Sequence, residues 1–384
     1  MLDFPGSPSN GQVFTPVAGG PSWQWDGSKW IAATTGSTAY APITDPIFQG
    51  NPQAPQPAAG DADASIATTA FVTNAVATSL HDVGRNLVHN SMFNIAQRGA
   101  GPFTAVGYTA DRWQLFVSLD TASFSVQALA PGGIPGDETA AAQFIGGFTG
   151  NAGAAATTVV GQPIEDVRRL AGKTVTVSFY AVASAAATKF GVSLDQNFGT
   201  GGSPSAQVQG VGQSVTLTTS WARYSLTFTL PSIAGKTLGT NANHNTGLNL
   251  WYSAGSNRTT ISGGVGVQSA TIYLWGVQLE LGSVATPLEK LDPVTQLQQC
   301  QRFYQVGNFK SDTYSAAGNA SGVYQSFPVQ MRATPVVTPT FNIQTNGASG
   351  GASAVSIYGV EIYTVATAAG YVTISGLFTA SADL

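Results

Sequence analysis

The chemistry that this sequence could support begins with its carboxylates, because two Asp or Glu side chains about 5–10 Å apart can hydrolyse a glycosidic bond. No acidic residue sits in a repeat or in a recognisable catalytic frame, and the adjacent Asp137 and Glu138 are typical of a loop. The sequence therefore predicts no catalytic residue and a protein that is not an enzyme. The carboxylates considered are Asp111, Asp120, Asp137, Glu138, Glu165, Asp166, Asp195, Glu280 and Glu289.

Nucleophilic and metal-dependent chemistry is no better supported. A Ser–His–Asp triad needs a histidine among the strands, where only His89 and His244 are available, and no G-x-S-x-G elbow occurs. Cys300 is the single cysteine, which excludes an intrachain disulfide and a cysteine zinc site, and we expect it to be a buried small hydrophobe. Residues 195–197 or 61–63 could contribute to a calcium site, but two acids make a poor site alone. No metal and no cofactor is predicted.

Sugar binding requires a different set of side chains. A flat aromatic ring covers the apolar face of a sugar, while Asn, Asp, Gln or Arg forms hydrogen bonds with its hydroxyl groups. Trp251 is a favoured ring because Leu248, Leu250 and Tyr252 occupy the other face of its strand, although each of these aromatic residues is more often part of a core than of a site. The candidate glycan-binding residues are Trp113, Trp251, Tyr252, Asn243, Arg258, Tyr314 and Tyr324.

The composition limits the possible partners. Charged residues make up 9% of the 384 residues, against about 25% in an average soluble domain. Hydrophobic residues (43%) and aromatic residues (10%) are sufficient for packed cores. The net charge of −4 without a basic stripe argues against nucleic-acid binding and against attraction to an anionic membrane. No run of apolar residues is long enough to predict insertion into a membrane.

The N-terminal sequence MLDFPGSPSNGQ has neither the basic region nor the apolar core of a signal peptide. We therefore expect synthesis in a host cytoplasm without secretion. A nearly uncharged polar surface is nevertheless typical of proteins that work outside cells. A component of a virion would satisfy both expectations.

The first sixty residues predict a docking segment and a spacer. In residues 1–35 a Trp-x-Trp pair is followed by Asp-Gly, which is a hairpin signal. Because about 30 residues bury little core alone, we expect this segment to dock on a particle through Trp23, Trp25 and Trp30. These rings could instead stack on sugars or pack within the hairpin. The proline-rich residues 36–60 predict an extended, semi-rigid linker.

Residues 61–84 predict a short helix with a heptad seam of about two repeats. A helix of this length is marginal in isolation. It could pack on its own chain, or it could align three copies of the chain as a trimerisation segment. The seam residues are Ile66, Thr69, Thr73, Val76 and Leu80.

From residue 85 to residue 290 the pattern is that of β-strands. Residues 175–180 and 224–230 alternate between apolar and polar side chains, as strands buried on one side do. About 200 residues of such strands with long loops predict a jelly-roll-like β-sandwich. Within it, Asp111 and Arg112 are expected to form an ion pair with each other.

A helix is predicted over 291–305, directly after the last strand of the sandwich. Asp292 suits the N-cap and Pro293 the first helical position. Residues 306–384 then return to strands, including one over 354–358, and predict a second, smaller β-sandwich domain. The fold class predicted is therefore mainly β, with one connecting helix between two β domains.

Several segments resemble those of tail-fibre and receptor-binding proteins of tailed bacteriophages. The opening FPGSPSNGQVFTPVAGGPSWQWDGSKW is similar to a segment near the start of many phage structural proteins, and GDADASIATTAFVTNAV resembles a helical element of tail fibres. NLVHNSMFNIAQRG, GYTADRWQL and GVQLELGSVATPLE resemble the opening and closing of a carbohydrate-binding-like β-sandwich. CQRFYQ and FPVQMRATPVVT resemble the C-terminal domain that often follows. The order of these segments is more specific than any one of them.

The resemblance implies a homotrimeric virion fibre or spike whose N-terminus binds a phage tail or capsid protein. Its distal domains would contact polysaccharide on the host cell surface. Related modules also occur on capsid spikes, including those of phage-like gene transfer particles, so the resemblance leaves both tail and head attachment open.

The leading hypothesis is a non-enzymatic fibre or spike protein in which 1–60 docks, 61–84 aligns three chains and the β domains bind glycan. A capsule polysaccharide depolymerase is the enzymatic alternative. A decoration or spacer protein of the head or tail, without a receptor, is the structural alternative.

Overall fold

The computed structural model describes residues 3–16, 21–33, 53–55, 57, 66–72 and 84–384. The chain divides into two compact units, Met1–Val76 and Ala77–Leu384. The described part is mainly β, which confirms the predicted fold class. Most of the predicted linker 36–60 lies outside the described residues.

The first unit contains a small three-stranded antiparallel sheet, formed by β1 (Val13–Phe14), β2 (Trp23–Trp25) and β3 (Trp30–Ala32). Asp26 closes the turn between β2 and β3, since its Oδ1 accepts hydrogen bonds from the backbone of Ser28 and Lys29. Aromatic rings then supply the core that so short a sheet otherwise lacks. The ring of Phe4 stacks on Trp30 at 5.3 Å and meets Trp23 edge-on at 5.6 Å.

The predicted trimerisation helix is described only over residues 66–72. Residues 69–72 are helical, and the Thr68 hydroxyl accepts a hydrogen bond from the backbone of Phe71, as a helix cap does. Thr69 is therefore helical, whereas Ile66 precedes the helix, which corrects its assignment to the helical seam. Thr73, Val76 and Leu80 lie outside the described residues.

The second unit begins with a sandwich of two antiparallel sheets. The six-stranded sheet has the order β11-β10-β13-β8-β5-β4 and the five-stranded sheet the order β12-β9-β14-β7-β6. The strands are β4 (Gly107–Tyr108), β5 (Gln114–Ser118), β6 (Thr121–Ala128), β7 (Ala142–Thr149), β8 (Thr157–Glu165), β9 (Thr174–Ala183), β10 (Lys189–Asn197), β11 (Gln213–Thr216), β12 (Ala222–Thr229), β13 (Asn245–Ala254) and β14 (Ser269–Leu281).

Alternate residues of these strands fill a single core between the two sheets, as the period-two pattern predicts. Aromatic rings dominate it: Phe93 stacks on Phe144 at 4.9 Å, and Phe124 meets Tyr252 edge-on at 4.9 Å. These contacts hold the two sheets together, and the outer face of the six-stranded sheet lies on the side away from this core.

A helix, α1 (Pro293–Gln301), follows the sandwich. The Asp292 side chain accepts hydrogen bonds from the backbone of Val294 and Thr295, each at 3.0 Å, and Pro293 occupies the first turn. The predicted helix start is confirmed. Cys300 is fully buried on this helix, and burial raises the pKa of its thiol above the usual range.

The remaining strands form two three-stranded sheets, β15-β20-β17 and β16-β19-β18, which share a second core. The predicted strand over 354–358 is wrong: this segment is a loop whose Val355 and Ile357 pack against that core. Its apolar residues therefore reflect burial rather than strand pairing. The strands are β15 (Tyr304–Ser315), β16 (Ala320–Ser326), β17 (Val336–Thr345), β18 (Gly347–Ser353), β19 (Gly359–Ala366) and β20 (Gly370–Ser381).

Arginines join the sandwich to these C-terminal sheets. The guanidinium of Arg112 lies 3.4 Å from the centre of the buried Phe303 ring, and that of Arg98 lies 3.5 Å from the ring of Tyr304. Both arginines also approach the carboxylate of Asp383, just beyond β20. The predicted ion pair between Asp111 and Arg112 is wrong, because the Asp111 carboxylate faces Arg98 at 3.9 Å. We call this region the joint.

Candidate binding groove

The outer face of the six-stranded sheet has a covered half and an open half. On the covered half, Trp251 packs with Val159 and Val265, and Ile261 packs against this group. The loop that carries Ile261 and Val265 crosses the sheet so closely that a Cβ on Gly191 would lie 2.2 Å from the Ser262 carbonyl oxygen. The loop therefore closes this half to ligands.

The open half forms a polar groove of about 220 Å³ across β5, β8, β13 and β10. Ligand pockets for drug-sized molecules are about 300–1,000 Å³, so the groove suits a short segment of a larger chain. Side chains that line it are Gln114, Phe116, Asp195, Asn197, Thr200, Gln207, Asn243, Asn245 and Asn249, together with Gln162, Pro163, Leu248, Leu384 and two glycines.

The two glycines form the floor of the groove. Gly161 on β8 lies opposite Asn249 on β13, and Gly247 on β13 lies opposite Asp195 on β10. A Cβ on Gly247 would meet nothing nearer than 3.9 Å, so the space above it is open. Glycine inside a strand weakens the sheet but lets a ligand approach the backbone closely. These two positions deepen the groove where the flanking side chains are polar.

Asp195 is the centre of the polar network. Its Oδ1 accepts a hydrogen bond from the backbone of Gly210 at 3.1 Å, and its Oδ2 accepts hydrogen bonds from the side-chain amides of Asn249 (2.9 Å) and Gln207 (3.2 Å). Burial raises the pKa of the Asp195 carboxyl, and these three hydrogen bonds oppose the shift. The carboxylate thus fixes two amides whose carbonyl oxygens remain able to accept hydrogen bonds from a ligand.

Asn243 connects the two loops that form one wall of the groove. Its Oδ1 accepts a hydrogen bond from the backbone of Thr200 at 2.8 Å, and its Nδ2 donates to the Thr200 hydroxyl at 2.9 Å. The predicted site residue Asn243 therefore lines the groove, where it ties the loop after β10 to the loop before β13. These hydrogen bonds assign it a positioning role in the wall.

Phe116 supplies the apolar element of the groove. It is 42% exposed on β5, and its neighbour Leu115 points into the core. An exposed ring beside amide and carboxylate groups can cover the apolar face of a sugar while the polar groups bind the hydroxyls. The side chains of the groove are therefore suited to binding a polyhydroxylated ligand, and this binding requires no catalytic step.

Asp195 is the single Asp or Glu among the described residues that line the groove. Other carboxylates named from the sequence serve the fold: Asp137 forms an ion pair with Lys290 at 2.8 Å, and Glu165 one with Arg302 at 2.8 Å. Hydrogen bonds from Arg168 lower the pKa of Asp166. Among the described residues that line the groove, there is thus no second carboxylate to assist Asp195 in glycoside hydrolysis.

Three of the aromatic residues predicted to bind sugar are buried, which corrects that prediction. Trp113 is fully buried, with its ring 5.2 Å from Phe93 and its Nε1 donating to the Asn90 carbonyl. Tyr252 is fully buried in the aromatic core. Trp251 faces outward as predicted, but the covering loop leaves it 5% exposed. None of the three offers a ring face to a sugar.

Other predicted residues lie elsewhere. Arg258 ends a 3-10 helix, Ser256–Arg258, in the loop segment that follows β13, and it is not among the residues that line the groove. Tyr314 and Tyr324 are 68% and 52% exposed on the C-terminal sheets, so they remain candidates for contacts of another kind.

The three docking tryptophans lie together in the small N-terminal sheet. Trp25 and Trp30 are paired directly across β2 and β3, with ring centres 5.7 Å apart, and Trp23 packs on Phe4. All three are half-buried within this cluster. Packing within the hairpin therefore accounts for their contacts, and their docking on a particle remains a prediction.

Sequence reasoning missed Phe116, Asn249 and Gln207, and it treated Asp195 only as a possible acid or metal ligand. One signal was present: in Gln114–Ser118 the strand period places Phe116 opposite to Leu115. The proximity of Gln207 to Asn249 had no local signal, because 42 positions separate them in the sequence.

No group of three or more His, Cys, Asp or Glu side chains within the described residues could hold a metal ion. In the same part of the chain, no helix has both the length and the apolarity to cross a membrane.

Comparisons with known proteins give weak similarities. No protein-family model and no curated protein matches the sequence. Among solved structures, the chain is similar to the enzymatically active domain of tailspike protein 4 of bacteriophage CBA120, with 15% identity and a TM-score of 0.28, over 52% of this chain and 22% of that one.

Two carbohydrate-binding domains are similar at the same level. The CBM22-1 xylan-binding domain from Paenibacillus barcinonensis shares 12% identity with a TM-score of 0.29, over 52% of this chain and 96% of that one. A family 11 carbohydrate-binding module from Clostridium thermocellum, solved with a beta-1,3-1,4-mixed-linked tetrasaccharide, shares 11% identity with a TM-score of 0.29, over 49% and 95%. At these TM-scores the similarities assign no function.

Proposed function

We propose that this chain is a non-enzymatic fibre or spike protein of a phage or phage-like particle, and that it binds host-surface polysaccharide in the groove. The observation that carries the proposal is the open half of the six-stranded sheet. There an exposed Phe116 ring, the network around Asp195 and a floor of two glycines occupy one concave surface.

The chemistry of the groove favours a neutral, hydroxyl-rich ligand. Amide groups donate and accept hydrogen bonds, as sugar hydroxyls do, so a ring of amides suits a sugar better than it suits an ion. Asp195 already accepts hydrogen bonds from three N–H donors and orients the amides of Asn249 and Gln207. A single carboxylate in the lining favours binding over hydrolysis.

The place of the protein on a particle rests on the resemblance of its ordered segments to phage fibre proteins. In this proposal residues 1–60 attach to a tail or capsid protein, and three chains assemble into a homotrimer. A shallow groove is sufficient in such an assembly, because three linked sites can raise avidity by roughly 10²–10⁴. Weak single-site affinity is therefore expected.

A panel of bacterial surface polysaccharides, probed with the full chain, tests this function. We expect retention of one class of glycan by the wild type and loss of that retention in Asn249→Leu, which keeps the volume but removes the amide. Asn257→Leu is the matched control, since Asn257 is exposed outside the groove.

Two results would contradict the proposal. Shortened polysaccharide chains after incubation with the protein would favour a depolymerase. Failure of the wild type to retain any glycan at micromolar concentration would favour a decoration or spacer protein.

A further inference from the structure

The sheet β15-β20-β17 has one face in the C-terminal core and one face in solvent. Phe309, Ile374 and Phe378 point inward to the core, so the alternate residues of each strand point outward. We call the outward side the tyrosine face. Its large apolar side chains are 39–74% exposed: Val306, Tyr314, Val336, Ile343, Tyr371 and Leu377.

The strand register gathers these side chains into one surface. Tyr314 lies directly opposite Tyr371, with their rings 5.7 Å apart and edge-on. Ile343 pairs with Ser375, the outward neighbour of Leu377 on β20. A bulge between Phe341 and Ile343 turns Ile343 outward, which adds it to the face instead of the core.

The tyrosine face has the size of an interface between proteins. Three strands of 10 to 12 residues give a surface of about 35–40 Å by about 14 Å. The two tyrosines alone expose roughly 250 Å². Monomeric proteins rarely expose a contiguous apolar patch of more than a few hundred Å², and one partner of a standard interface buries about 800 Å².

The charges on the tyrosine face are self-complementary. Lys310 and Asp312 are successive outward residues of β15, opposite Ser375 and Thr373 of β20. The face therefore carries one cation and one anion in neighbouring rows, and its net charge is zero. Copies of the same face around an axis can pair Lys310 of one with Asp312 of the next, which closes a ring of ion pairs.

We propose that the tyrosine face is buried against two other copies of this chain, with three such sheets facing a common three-fold axis. The proposal rests on the homotrimer of the proposed function and names the surface that forms it. Tyr314 and Tyr371 supply apolar contacts at one end of the sheet, and Ile343 and Leu377 supply them in its middle. Lys310 and Asp312 set the register between copies. The trimer contact then extends to the C-terminal sheets and does not depend on residues 61–84 alone.

Light scattering of the full chain over a range of concentrations tests the surface. We expect a trimer for the wild type, and for Leu377→Asp an increase of at least about 100-fold in the concentration needed for assembly. Val211→Asp is the matched control, because Val211 is equally apolar and 71% exposed on the sandwich, away from the tyrosine face. A cooperative unfolding transition for Leu377→Asp would show that the variant folds.

A charge exchange tests the register. Lys310→Asp and Asp312→Lys should each weaken the trimer, and the double variant should restore it. A trimer that Leu377→Asp leaves intact overturns the tyrosine face but not the proposed function. A wild-type dimer overturns the three-fold arrangement. A wild-type monomer overturns both the trimer and this face, while glycan retention by that monomer would leave the groove in place.

Discussion

The protein presents two open sheet faces of opposite character. The groove on the six-stranded sheet combines polar side chains with a glycine floor, and the most exposed apolar side chain of its lining is Phe116. Six of the outward side chains of the tyrosine face, on the sheet β15-β20-β17, are large and apolar. Both faces follow from the same alternation of side chains along a strand.

The difference shows which property of an open face selects its partner. Amides held in place by a carboxylate match a ligand of hydroxyl groups, because each buried hydrogen bond needs a fixed counterpart. Exposed apolar side chains gain most when another apolar surface covers them, because burial removes them from water. This contrast is why we propose sugar as the ligand of the groove and protein as the partner of the tyrosine face.

The largest effect should come from acid at His89, whose ring centre lies 5.8 Å from that of Phe303 in the joint. Burial, followed by the nearby Arg112, lowers the pKa of His89 to about 3, and its Nδ1 is buried without a partner. The folded chain keeps His89 neutral while the unfolded chain protonates it near pH 6.5. The stabilisation is present above that pH and is lost as the pH falls towards 3.

We expect the free energy of unfolding to fall by about 2–4 kcal/mol more in the wild type than in His89→Leu between pH 6.5 and pH 3. Chemical denaturation across this range measures the difference. Parallel pH profiles for the two proteins would show that His89 is not a neutral buried group.

Filling the groove should abolish sugar binding without changing assembly. In Gly247→Leu the new side chain enters open space above the floor, since the nearest atoms to its Cβ lie 3.9 Å away. We expect at least about a 100-fold loss in glycan affinity, or roughly 2.7 kcal/mol, by isothermal titration calorimetry.

Ser225→Leu adds the same bulk to an exposed position of β12 on the opposite sheet and should bind normally. If Gly247→Leu binds as tightly as the wild type, the ligand lies elsewhere and the groove loses its assignment.

A pair of aromatic truncations compares the two faces directly. Phe116→Ala should weaken glycan binding about ten-fold, since an aromatic contact contributes about 0.5–1.5 kcal/mol beyond its buried area. Tyr371→Ala should weaken the trimer and leave the affinity of a single groove for a monovalent oligosaccharide unchanged. The reverse pattern, with glycan affinity lost in Tyr371→Ala alone, would exchange the roles of the two faces.

The smallest effect should be the pH dependence of Asp195. Burial raises the pKa of this carboxyl, so its contribution to stability is present below the unfolded pKa near 3.9 and is lost as the pH rises through the higher folded value. The stability of the wild type relative to Asp195→Asn should therefore decrease as the pH rises above about 4. An increase over the same range would mean that the three hydrogen bonds outweigh burial.

Parts of the fold could be predicted from the sequence because their signals are local. The alternation in Thr174–Ala183 and Ala222–Thr229 marks strands with one buried side, and Asp292 followed by Pro293 marks the start of α1. The lone Cys300 was expected to be buried, and it is. Each of these conclusions needs only residues within a few positions of one another.

The candidate site was less predictable because its members are distant in the sequence. Trp251 was placed on the correct face of its strand, yet Ile261 and Val265 cover it. Arg112 was paired with its neighbour Asp111, yet it approaches Asp383, 271 positions later. A periodic pattern states which way a side chain points, but it does not state what lies in front of it.

The sequence by itself determined that the protein is mainly β and carries few charged residues, and that a helix beginning at Pro293 connects its two β domains. Only the tertiary structure decided which open face is polar and which is apolar, because that depends on which loops cross a sheet and which leave it bare. Strand period fixes orientation through local geometry. Coverage depends on contacts between segments far apart in the chain, such as the loop carrying Ser262 over Gly191, and these form only when the whole chain has folded.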